Sequence, residues 1–564
     1  MRAANFSSQF GKFFTVERTL LIILVTALLL RFLFLDLKLL HHDEAIHSWF
    51  SINLLRDGIH SYSYDPVYHG PFLYFITSGM FGLFGSGDLI ARIIPSLLGT
   101  FAVGLIYPIY KLGYLDGRQT IIAGLFIAIS PSMVYFSRFL RNDILILFFT
   151  LVLLVSVLYY LEKNELKYVI SGAAAIGFAM SCKENVPIIL LIFGVYILYL
   201  FYTKKAVLPK YWIRDLIIAI ALAAGIMAVL YSSFGAYPQI IIDGPSEAIN
   251  HWLSMHEEQR LGGPFYYYII LFLLYELPIL VLAIFGIFSF LKKHDLKNTN
   301  LKQNFEDECE GRPDVDADAE KSEINEEIKK KILKPIAKID KNREFTRFCI
   351  FWMLASLAIY AYIGEKVPWL ILHQLIPMIF VAVYDLSRLK IWICAAGVIF
   401  LALMMVHVSF TPADISEPIV QVQNSEDLRD VMVFVDFADR VAISNEVRWP
   451  FVWYYVDDYP KKIAYYSEGY DSSIGPEDYD VIILHDGEGI TDISGYSKYT
   501  YKKCYWIDVY NLVQSTRYKA DLTDENYRNA VIGDVKRLLS YYFTRDTNLG
   551  SINLDVFVKN RQAA

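Results

Sequence analysis

Long apolar runs separated by short polar segments dominate the first 410 residues of the chain. Because a helix needs about 20 apolar residues to cross a bilayer, these runs predict about eleven membrane-spanning helices. They lie near residues 19–40, 89–110, 119–136, 143–161, 167–182, 186–203, 213–233, 265–290, 347–363, 368–386 and 390–410. The first run is longer than the apolar core of a secretory signal and has no evident small-residue cleavage site, so we expect it to be a retained helix.

The short loops predict the orientation, because Lys and Arg accumulate on the cytoplasmic side of a membrane. Basic residues follow the N-terminus and recur in alternate loops, at Lys111 and Arg118, Lys163 and Lys167, Lys204 to Arg214, and Arg388 and Lys390. The apolar segment from Pro71 to Phe84 would invert every later loop if it crossed, so we expect a surface or re-entrant helix there. The chain is then a multi-pass plasma-membrane protein with a cytoplasmic N-terminus and its C-terminus outside.

Two polar regions complete the predicted organisation. Residues 296–345 form a charged cytoplasmic loop whose middle, Asn304 to Lys331, lacks apolar periodicity and is expected to be disordered. After residue 410, short β-rich runs alternate with helix-like stretches, namely Arg440 to Ile443, Lys462 to Tyr466, Asp480 to Leu484 and Tyr501 to Val509. The predicted fold is an all-α polytopic membrane domain, 1–410, followed by a small extracytoplasmic α/β domain, 411–564.

Composition and motifs exclude several classes of function. The chain is 55% hydrophobic with a formal net charge of −7, and it has no strongly basic domain that would bind nucleic acid. Its five cysteines are scattered, without the spacing of metal ligands. No glycine-rich phosphate loop or dinucleotide fingerprint is present, so a nucleotide-sugar donor is not indicated.

The predicted topology brings five polar clusters to the outer membrane face. Charges in such tight turns are costly to bury unless they pair or act on a ligand. The clusters are His41 to Glu44, Tyr68 to Pro71, Ser137 to Asp143, Cys182 to Asn185 and Gly364 to Trp369. The longer outer loop 234–264 is expected to be a lid or an interfacial helix.

The adjacent carboxylates Asp43 and Glu44 follow the first span directly. Repulsion and partial burial would raise one pKa, which suits a general base beside a metal or substrate ligand. The alternative is structural, because acidic residues favour the first turn of a helix. A divalent metal ion is the one cofactor that the sequence leaves open, with Asp43, Glu44 and His42 as ligands and His41 and His47 nearby.

Arg138, Arg141 and Asp143 share one outer turn. Arginine binds phosphate through two parallel hydrogen bonds, so these side chains suit a lipid phosphate at that depth. The alternative is that the arginines extend to the interface and pair with Asp143. Basic residues are usually on the cytoplasmic side, so two arginines on an outer turn favour phosphate binding over the structural alternative. Arg31, inside the first apolar run, requires an acidic or lipid partner.

Two further turns each place a lysine beside a glutamate. Lys183 and Glu184, like Glu365 and Lys366, either pair within their own turn or contact a phosphate or sugar. His69, just before Gly70 and Pro71, is either a ligand or base, or a hydrogen-bonded turn residue.

These motifs occur together, in the same order, in the C-type membrane glycosyltransferases. Over residues 19–410 the chain resembles this superfamily, which includes protein O-mannosyltransferases and the lipid A aminoarabinose transferases. It is most similar to an archaeal branch described as flippase-activity-associated, which shares the Gly-Glu-Lys-Val-Pro-Trp turn and the stretch Trp449-Pro450-x-x-Trp453-Tyr454. Where related transferases have His-Pro-Pro, this chain has His69-Gly70-Pro71, which leaves the role of His69 open.

The resemblance implies the inverting transfer of a hexose- or mannose-like sugar from a polyprenyl (dolichyl)-phosphate carrier at the outer leaflet. Asp43 would activate the acceptor hydroxyl, with Glu44 as a helper or metal ligand. The phosphate would be bound or oriented by Arg138, Arg141, Asp143, Lys183, Glu184 and Lys366, with His42, His69 and Glu365 as further candidates. The expected partners are the lipid-linked sugar, membrane lipids and an unidentified glycan or protein acceptor.

Two other functions fit the same residues. A transport component that assists the flipping of lipid-linked glycans would use the cations but would need no proton acceptor. Transporters usually place their site near the bilayer midplane in broken helices, and the sequence shows no clear internal repeat. A non-catalytic scaffold that binds glycans through the C-terminal domain is the third alternative.

Overall fold

The helices of the membrane region follow the predicted apolar runs. The structure is a computed structural model that describes residues 15–258, 263–310, 340–364, 366–411, 417–466, 478–506, 512–519, 521–545 and 550–560. The first helices are α1 (Val16–Phe32), α2 (His42–Asp57), α3 (Phe72–Phe84), α4 (Asp88–Gly104), α5 (Ile106–Lys111), α6 (Gly117–Ile129), α7 (Pro131–Ser137) and α8 (Asn142–Lys163). They are followed by α9 (Leu166–Met180), α10 (Val186–Tyr202), α11 (Trp212–Tyr231), α12 (Ile240–Glu258), α13 (Tyr267–Tyr275), α14 (Leu277–Glu310), α15 (Lys341–Tyr362), α16 (Ile371–Ala382) and α17 (Arg388–Phe410).

Every predicted apolar run contains a helix, but the helices differ from the prediction in length and shape. By length and composition, five of the described helices could cross a membrane, or up to seven if each bent pair is one span. Helix α3 has 13 residues, fewer than the roughly 20 that a span needs. This length agrees with the surface or re-entrant helix expected at Pro71 to Phe84, whose placement in the membrane stays a prediction.

The helices differ from the expectations at three places. The first helix ends at Phe32 rather than near Leu40. The run 265–290 is not one straight helix, because the chain bends by 110° between α13 and α14, at Glu276. Pro278, which has no N–H to donate and disturbs the preceding turn, follows this break. Helix α14 continues to Glu310, so the start of the segment expected to be disordered is helical, whereas residues 311–339 lie outside the described residues.

The C-terminal region has the predicted small α/β fold. Its strands are β1 (Val441–Ser444), β2 (Ile463–Tyr466), β3 (Val481–His485), β4 (Tyr496–Cys504) and β5 (Ile552–Lys559), and its helices are α18 (Leu428–Phe437), α19 (Phe451–Tyr454) and α20 (Glu525–Thr544). The sheet order is β2-β1-β3-β5-β4. The first three strands are parallel, and β5 pairs antiparallel with β3 and β4. Strand β4 begins earlier than predicted, and β5 was not predicted.

The C-terminal region packs directly against the membrane helices. Its side chains in the core of the membrane region are Ile419, Val420, Trp453, Leu512, Val513 and Tyr541. The buried carboxylate of Glu417 joins the two regions, because it accepts hydrogen bonds from Tyr275 (2.6 Å), Tyr541 (3.1 Å) and Arg545 (3.0 Å) and lies 2.9 Å from His407 Nε2. Burial alone would raise the pKa of Glu417, but His407 and Arg545 hold it below its ordinary value.

A close backbone approach brings the loop between α2 and α3 onto the turn after α9. The N–H of Gly70 donates to the carbonyl of Cys182 (2.9 Å), and that of Phe72 donates to Ser181 (2.9 Å). A Cβ atom at position 70 would lie 2.3 Å from the Ser181 carbonyl oxygen, so a side chain does not fit there. This requirement explains the glycine in the His69-Gly70-Pro71 turn.

We therefore predict that Gly70→Ala destabilises the protein by about 1–3 kcal/mol, because the added methyl group must push two backbone segments apart. Gly79→Ala is the matched control, since a Cβ atom there meets nothing within 4 Å and alanine favours a helix by about 1 kcal/mol over glycine. Thermal unfolding of the purified protein in detergent measures both. Equal unfolding temperatures for Gly70→Ala and the wild type would contradict the close approach.

We also predict that Glu417→Gln lowers stability by about 1.5–3 kcal/mol, because the half-buried Arg545 loses its charge partner and a charge-assisted hydrogen bond. Since the folded-state pKa of Glu417 is lowered, its contribution is complete above pH 4.5 and is lost as the pH falls through the folded-state value. The variant should therefore lose less stability than the wild type on acidification. Glu426→Gln, at an exposed pair with Arg429, is the control and should change stability by less than about 1 kcal/mol.

Candidate functional site

The site is built around the N-terminus of α2. His41 is the N-cap residue, and its ring Nδ1 accepts a hydrogen bond from the N–H of Asp43 (3.0 Å). In return, Glu44 Oε2 accepts from the N–H of His41 (2.9 Å), which completes a capping box. The cluster His41 to Glu44 therefore starts a helix, as the structural alternative for these acidic residues predicted.

Glu44 is fully buried, and its hydrogen bonds connect this helix to two other segments. Its carboxylate accepts two hydrogen bonds from Arg92 of α4, at 2.8 and 2.6 Å, and one from the N–H of Leu140 at 2.7 Å. Arg92 also donates to the carbonyls of Leu35, Lys38 and Leu39. Both carboxylate oxygens of Glu44 are thus engaged, which gives this residue a structural role, and its predicted role as helper or metal ligand stays a prediction.

Asp43 faces the site and forms an ion pair with Arg141. Its side chain keeps 26% of its surface exposed. Burial alone would raise the pKa of Asp43, but Arg141 and the neighbouring histidines hold it well below its usual range. The Arg141 guanidinium also lies on the ring of Trp369, 3.6 Å from the ring centroid. This stacking fixes the plane of the guanidinium beside the carboxylate.

The chain of charges continues to Asp143, at the start of α8. Three basic groups surround its buried carboxylate, namely Arg141 Nε at 3.4 Å, Lys183 Nζ at 3.5 Å and His373 Nε2 at 3.5 Å. These separations are long for hydrogen bonds. Asp43, Arg141, Asp143 and Lys183 therefore form a row of alternating charge, buried except at Asp43, in which the contacts of Asp143 with Arg141 and Lys183 are long.

Lys183 and Glu184 do not pair with each other. Lys183 contacts Asp143, as described above, whereas Glu184 accepts a hydrogen bond from Tyr64 (2.9 Å) and lies 3.1 Å from His69 Nδ1. Burial alone would raise the pKa of Glu184, but His69 and Tyr64 lower it. The structure thus brings His69, which the sequence left undecided, next to the loop that carries Lys183.

Arg138 and Lys366, both predicted to bind phosphate, are placed differently. Their cationic groups donate to carbonyls at the C-terminal ends of α1 and α15, namely those of Leu30, Arg31, Leu33 and Phe34 for Arg138 and of Tyr360, Ala361 and Ile363 for Lys366. Cations stabilise a helix C-terminus in this way, so the structure gives both residues a structural role, and their role as phosphate ligands stays a prediction. Glu365 lies outside the described residues.

Among the described residues, Arg31 is bound by neutral groups rather than by the acidic partner that we expected, and a lipid partner stays a prediction. Arg31 donates to Ser137 Oγ (3.1 Å) and to the carbonyls of Ala27, Ile127 and Ala128. No role was predicted from the sequence for the side chains of Arg92, Trp369 and His373, although Trp369 ends one of the five polar clusters. Arg92 could have been found because, like Arg31, it interrupts an apolar run. Trp369 and His373 gave no separate signal, since neither carries a full charge that would stand out in an apolar run; Trp369 lies in the turn before α16, and His373 lies in its first turn.

The proposed metal ligands do not assemble into a metal site in the described part of the chain. No group of three His, Cys, Asp or Glu side chains is arranged there to hold an ion. Asp43 is paired with Arg141, and Glu44 is enclosed by hydrogen-bond donors. No step of the chemistry is therefore assigned to a metal, and the divalent ion stays a prediction.

The C-terminal region holds the residues that precede Asp43. Gln423 donates to the carbonyl of Leu39 (2.8 Å), and Asn424 donates to that of Leu40 (2.6 Å). The hydroxyl of Tyr454 accepts from the N–H of Leu40 (2.9 Å), and the ring of His41 contacts the carbonyl of Gln421. The start of α2 therefore depends on contacts with the region after residue 410.

An apolar cavity of about 560 Å³ lies between α9, α10, α11 and α12. Its walls are mostly aliphatic and aromatic, from residues such as Ile188, Met227 and Trp252. Tyr64 and Glu184 form its polar end. This arrangement places an apolar volume of lipid size beside the loop that carries Lys183.

Comparisons with known proteins agree with the motifs. Residues 68–231 match the family model described as dolichyl-phosphate-mannose-protein mannosyltransferase. No curated protein matches the sequence. Among solved structures, the archaeal oligosaccharyltransferase AglB from Archaeoglobus fulgidus, in complex with an inhibitory peptide and a dolichol-phosphate, has a TM-score of 0.50 at 12% identity, over 97% of this chain and 89% of that chain.

Two other solved structures are more distant in shape. ArnT from Cupriavidus metallidurans, bound to undecaprenyl phosphate, has a TM-score of 0.44 at 17% identity over 67% of this chain, which spans 62% of the ArnT chain. The S. cerevisiae protein O-mannosyltransferase complex bound to the sugar donor has a TM-score of 0.34 at 19% identity, over 41% of this chain and 35% of that chain.

The matched segment, 68–231, contains the turns that carry Arg141, Asp143 and Lys183, and the likeness to AglB extends over almost the whole chain. The narrower likeness to the flippase-activity-associated branch stays a prediction. Residues 68–231 thus match the dolichyl-phosphate-mannose-protein mannosyltransferase family model, and the chain shares the multi-helix fold of AglB.

Proposed function

We propose that the chain transfers a sugar from a polyprenyl-phosphate donor to an acceptor hydroxyl at the outer membrane face, in the glycosylation of a protein or of a lipid-linked glycan. The observation that carries this proposal is the row Asp43, Arg141, Asp143 and Lys183, in which a partly exposed carboxylate adjoins two buried cations. The dolichyl-phosphate donor named for the matching family and the dolichol-phosphate bound to AglB support a lipid-linked donor.

The donor phosphate would bind to Arg141 and Lys183. Both cations contact Asp143 at 3.4–3.5 Å, so a phosphate oxygen could replace these long contacts with shorter charge-assisted hydrogen bonds. The fixed plane of the Arg141 guanidinium suits phosphate, which arginine binds through two parallel hydrogen bonds. The same cations would stabilise the charge that builds on the phosphate as it leaves.

Asp43 would be the base, and the donor would activate it. While Asp43 is paired with Arg141, its lowered pKa makes it a weak proton acceptor. A phosphate that takes over Arg141 removes this effect, and burial then raises the pKa of Asp43 toward a useful range. The acceptor hydroxyl gives its proton to Asp43 and its oxygen bonds to the anomeric carbon, while the bond to the phosphate breaks and polyprenyl phosphate leaves with the electron pair.

The cavity between α9 and α12 suits the apolar chain of such a donor. Its wall is apolar except at the end formed by Tyr64 and Glu184, and Glu184 is the neighbour of Lys183 in sequence. A donor whose isoprenoid units occupy this cavity would therefore have its phosphate near Lys183. Burial of apolar surface contributes about 25 cal/mol per Å², so the isoprenoid chain of the donor would supply much of the binding energy.

We predict that Asp43→Asn lowers the rate of sugar transfer by about 10²- to 10⁴-fold, the usual contribution of a general base. Asp57→Asn is the control, because Asp57 is exposed at the other end of the same helix, and it should keep wild-type activity. Transfer from polyprenyl-phosphate sugars in proteoliposomes measures both variants. Full activity of Asp43→Asn would disprove the base. A wild type that moves no sugar, while its deletion stops glycan export, would favour the transport alternative.

We predict that Arg141→Lys lowers kcat/KM for the donor by roughly 10- to 100-fold, because one charged hydrogen bond contributes about 1.5–3 kcal/mol. Arg138→Lys is the contrast, since Arg138 binds helix carbonyls. It should lower the unfolding temperature while the activity per folded molecule changes little. If the two variants lost activity equally at equal stability, the assignment of only Arg141 to the phosphate would be wrong.

A further inference from the structure

His47 lies one helical turn after Asp43 on α2. Residues four apart on a helix project from the same face, with about 5–6 Å between their Cβ atoms. The side chain of His47 is buried, with a residue exposure of 4%. It therefore lies beside the carboxylate of Asp43, and the proposed mechanism gives it no role.

The hydrogen bonds behind His47 fix the position of its proton. The hydroxyl of Tyr74 donates to the carbonyl of Tyr68 (2.6 Å), so its single proton is already used. Its oxygen must then accept from His47 Nδ1, which lies 2.9 Å away. Burial and Arg141 lower the pKa of His47 to about 3, so the ring is neutral. The proton is therefore on Nδ1, and Nε2 carries a lone pair.

This Nε2 atom is buried and has no hydrogen-bond partner among the described residues. A buried polar atom without a partner costs about 1–3 kcal/mol. Such atoms are rare in folded proteins, and each calls for an explanation such as a ligand that supplies the missing bond. Because Nε2 can only accept, the missing group must be a hydrogen-bond donor.

His69 provides a second acceptor in the same neighbourhood. Its Nδ1 contacts Glu184, whose lowered pKa keeps it ionised and therefore able only to accept. The His69 ring is neutral, since burial and Lys183 lower its pKa, and its Nε2 likewise carries a lone pair. Arg141 and Lys183 act electrostatically on both histidines, so both rings are near the two cations assigned to the phosphate.

We propose that His47 Nε2 accepts a hydrogen bond from a hydroxyl group of the transferred sugar or of its acceptor, and that His47 thereby determines specificity. The proposal deepens the proposed function and rests on it. A phosphate oxygen has no proton to donate and would be repelled by the lone pair. A metal ion would meet the positive charges of Arg141 and Lys183, and no three-ligand group exists among the described residues. A neutral hydroxyl can donate the hydrogen bond that Nε2 requires, and the two cations do not repel it.

The test uses the full-length protein in proteoliposomes with two series of substrates. In the donor series, one sugar hydroxyl at a time is replaced by hydrogen, and in the acceptor series the same change is made in the acceptor. For the wild type we expect one substitution to lower kcat/KM by roughly 10- to 100-fold, the effect of leaving one buried polar group unpaired. The series that contains this substitution identifies whether the hydroxyl belongs to the sugar or to the acceptor.

The variant His47→Leu should lower kcat/KM for the parent substrate by a similar factor and should no longer distinguish that deoxy analogue. His47→Gln, which keeps an acceptor oxygen, should recover part of the discrimination. If His47→Leu does not fold, the comparison of His47→Gln with the wild type across both series replaces it. The proposal is overturned if His47→Leu distinguishes the deoxy analogue as well as the wild type does. It is also overturned if chelators abolish the activity of the wild type and divalent ions restore it, while neither changes the activity of His47→Leu. A wild type that transfers no sugar overturns the proposed function and this inference together.

Discussion

A single buried carboxylate, Glu44, connects the segments on which the site depends. It joins the start of α2, the helix that carries Arg92 and the turn that ends at Arg141. A buried ion pair is stable only when further hydrogen bonds satisfy both groups, and removal of one partner leaves an uncompensated charge. Here both oxygens accept two bonds each, from Arg92 and two backbone N–H groups. Asp43, the next residue back, is therefore held opposite Arg141.

Adjacent charged residues have different roles in this structure because of local geometry. Consecutive residues of a helix are about 100° apart around its axis, so Asp43 and Glu44 cannot face the same surroundings. Asp43 and His47, one turn apart, face the site, while Glu44 faces the protein interior. The turn Lys183-Glu184 separates its charges in the same way, since one contacts Asp143 and the other contacts His69. A motif in the sequence therefore combines a structural residue with a functional one.

The sequence predicted the helices well and the contacts poorly, for one physical reason. Apolar length is a local property, so every predicted run contains a helix. The contacts of Glu276 instead join distant parts of the chain, because its carboxylate accepts hydrogen bonds from the hydroxyl of Ser130 and the N–H of Ser132. In the site, the sequence identified Asp43 and Arg141 as candidates because charges in short turns are conspicuous. It could not show that they pair, because their pairing requires the fold to bring α2 and α8 together.

The composition of the chain changes near residue 410, but the site does not end there, because the fold brings the C-terminal region against the start of α2. The carbonyl of Gln421 contacts the ring of His41, and the other side of that ring accepts the N–H of Asp43. One imidazole thus connects the C-terminal region to the backbone of the proposed base. A shift of the 421–424 segment would move Asp43 relative to Arg141, and the strength of their pairing sets the pKa of the base. The C-terminal region is therefore part of the structure that positions Asp43 relative to Arg141.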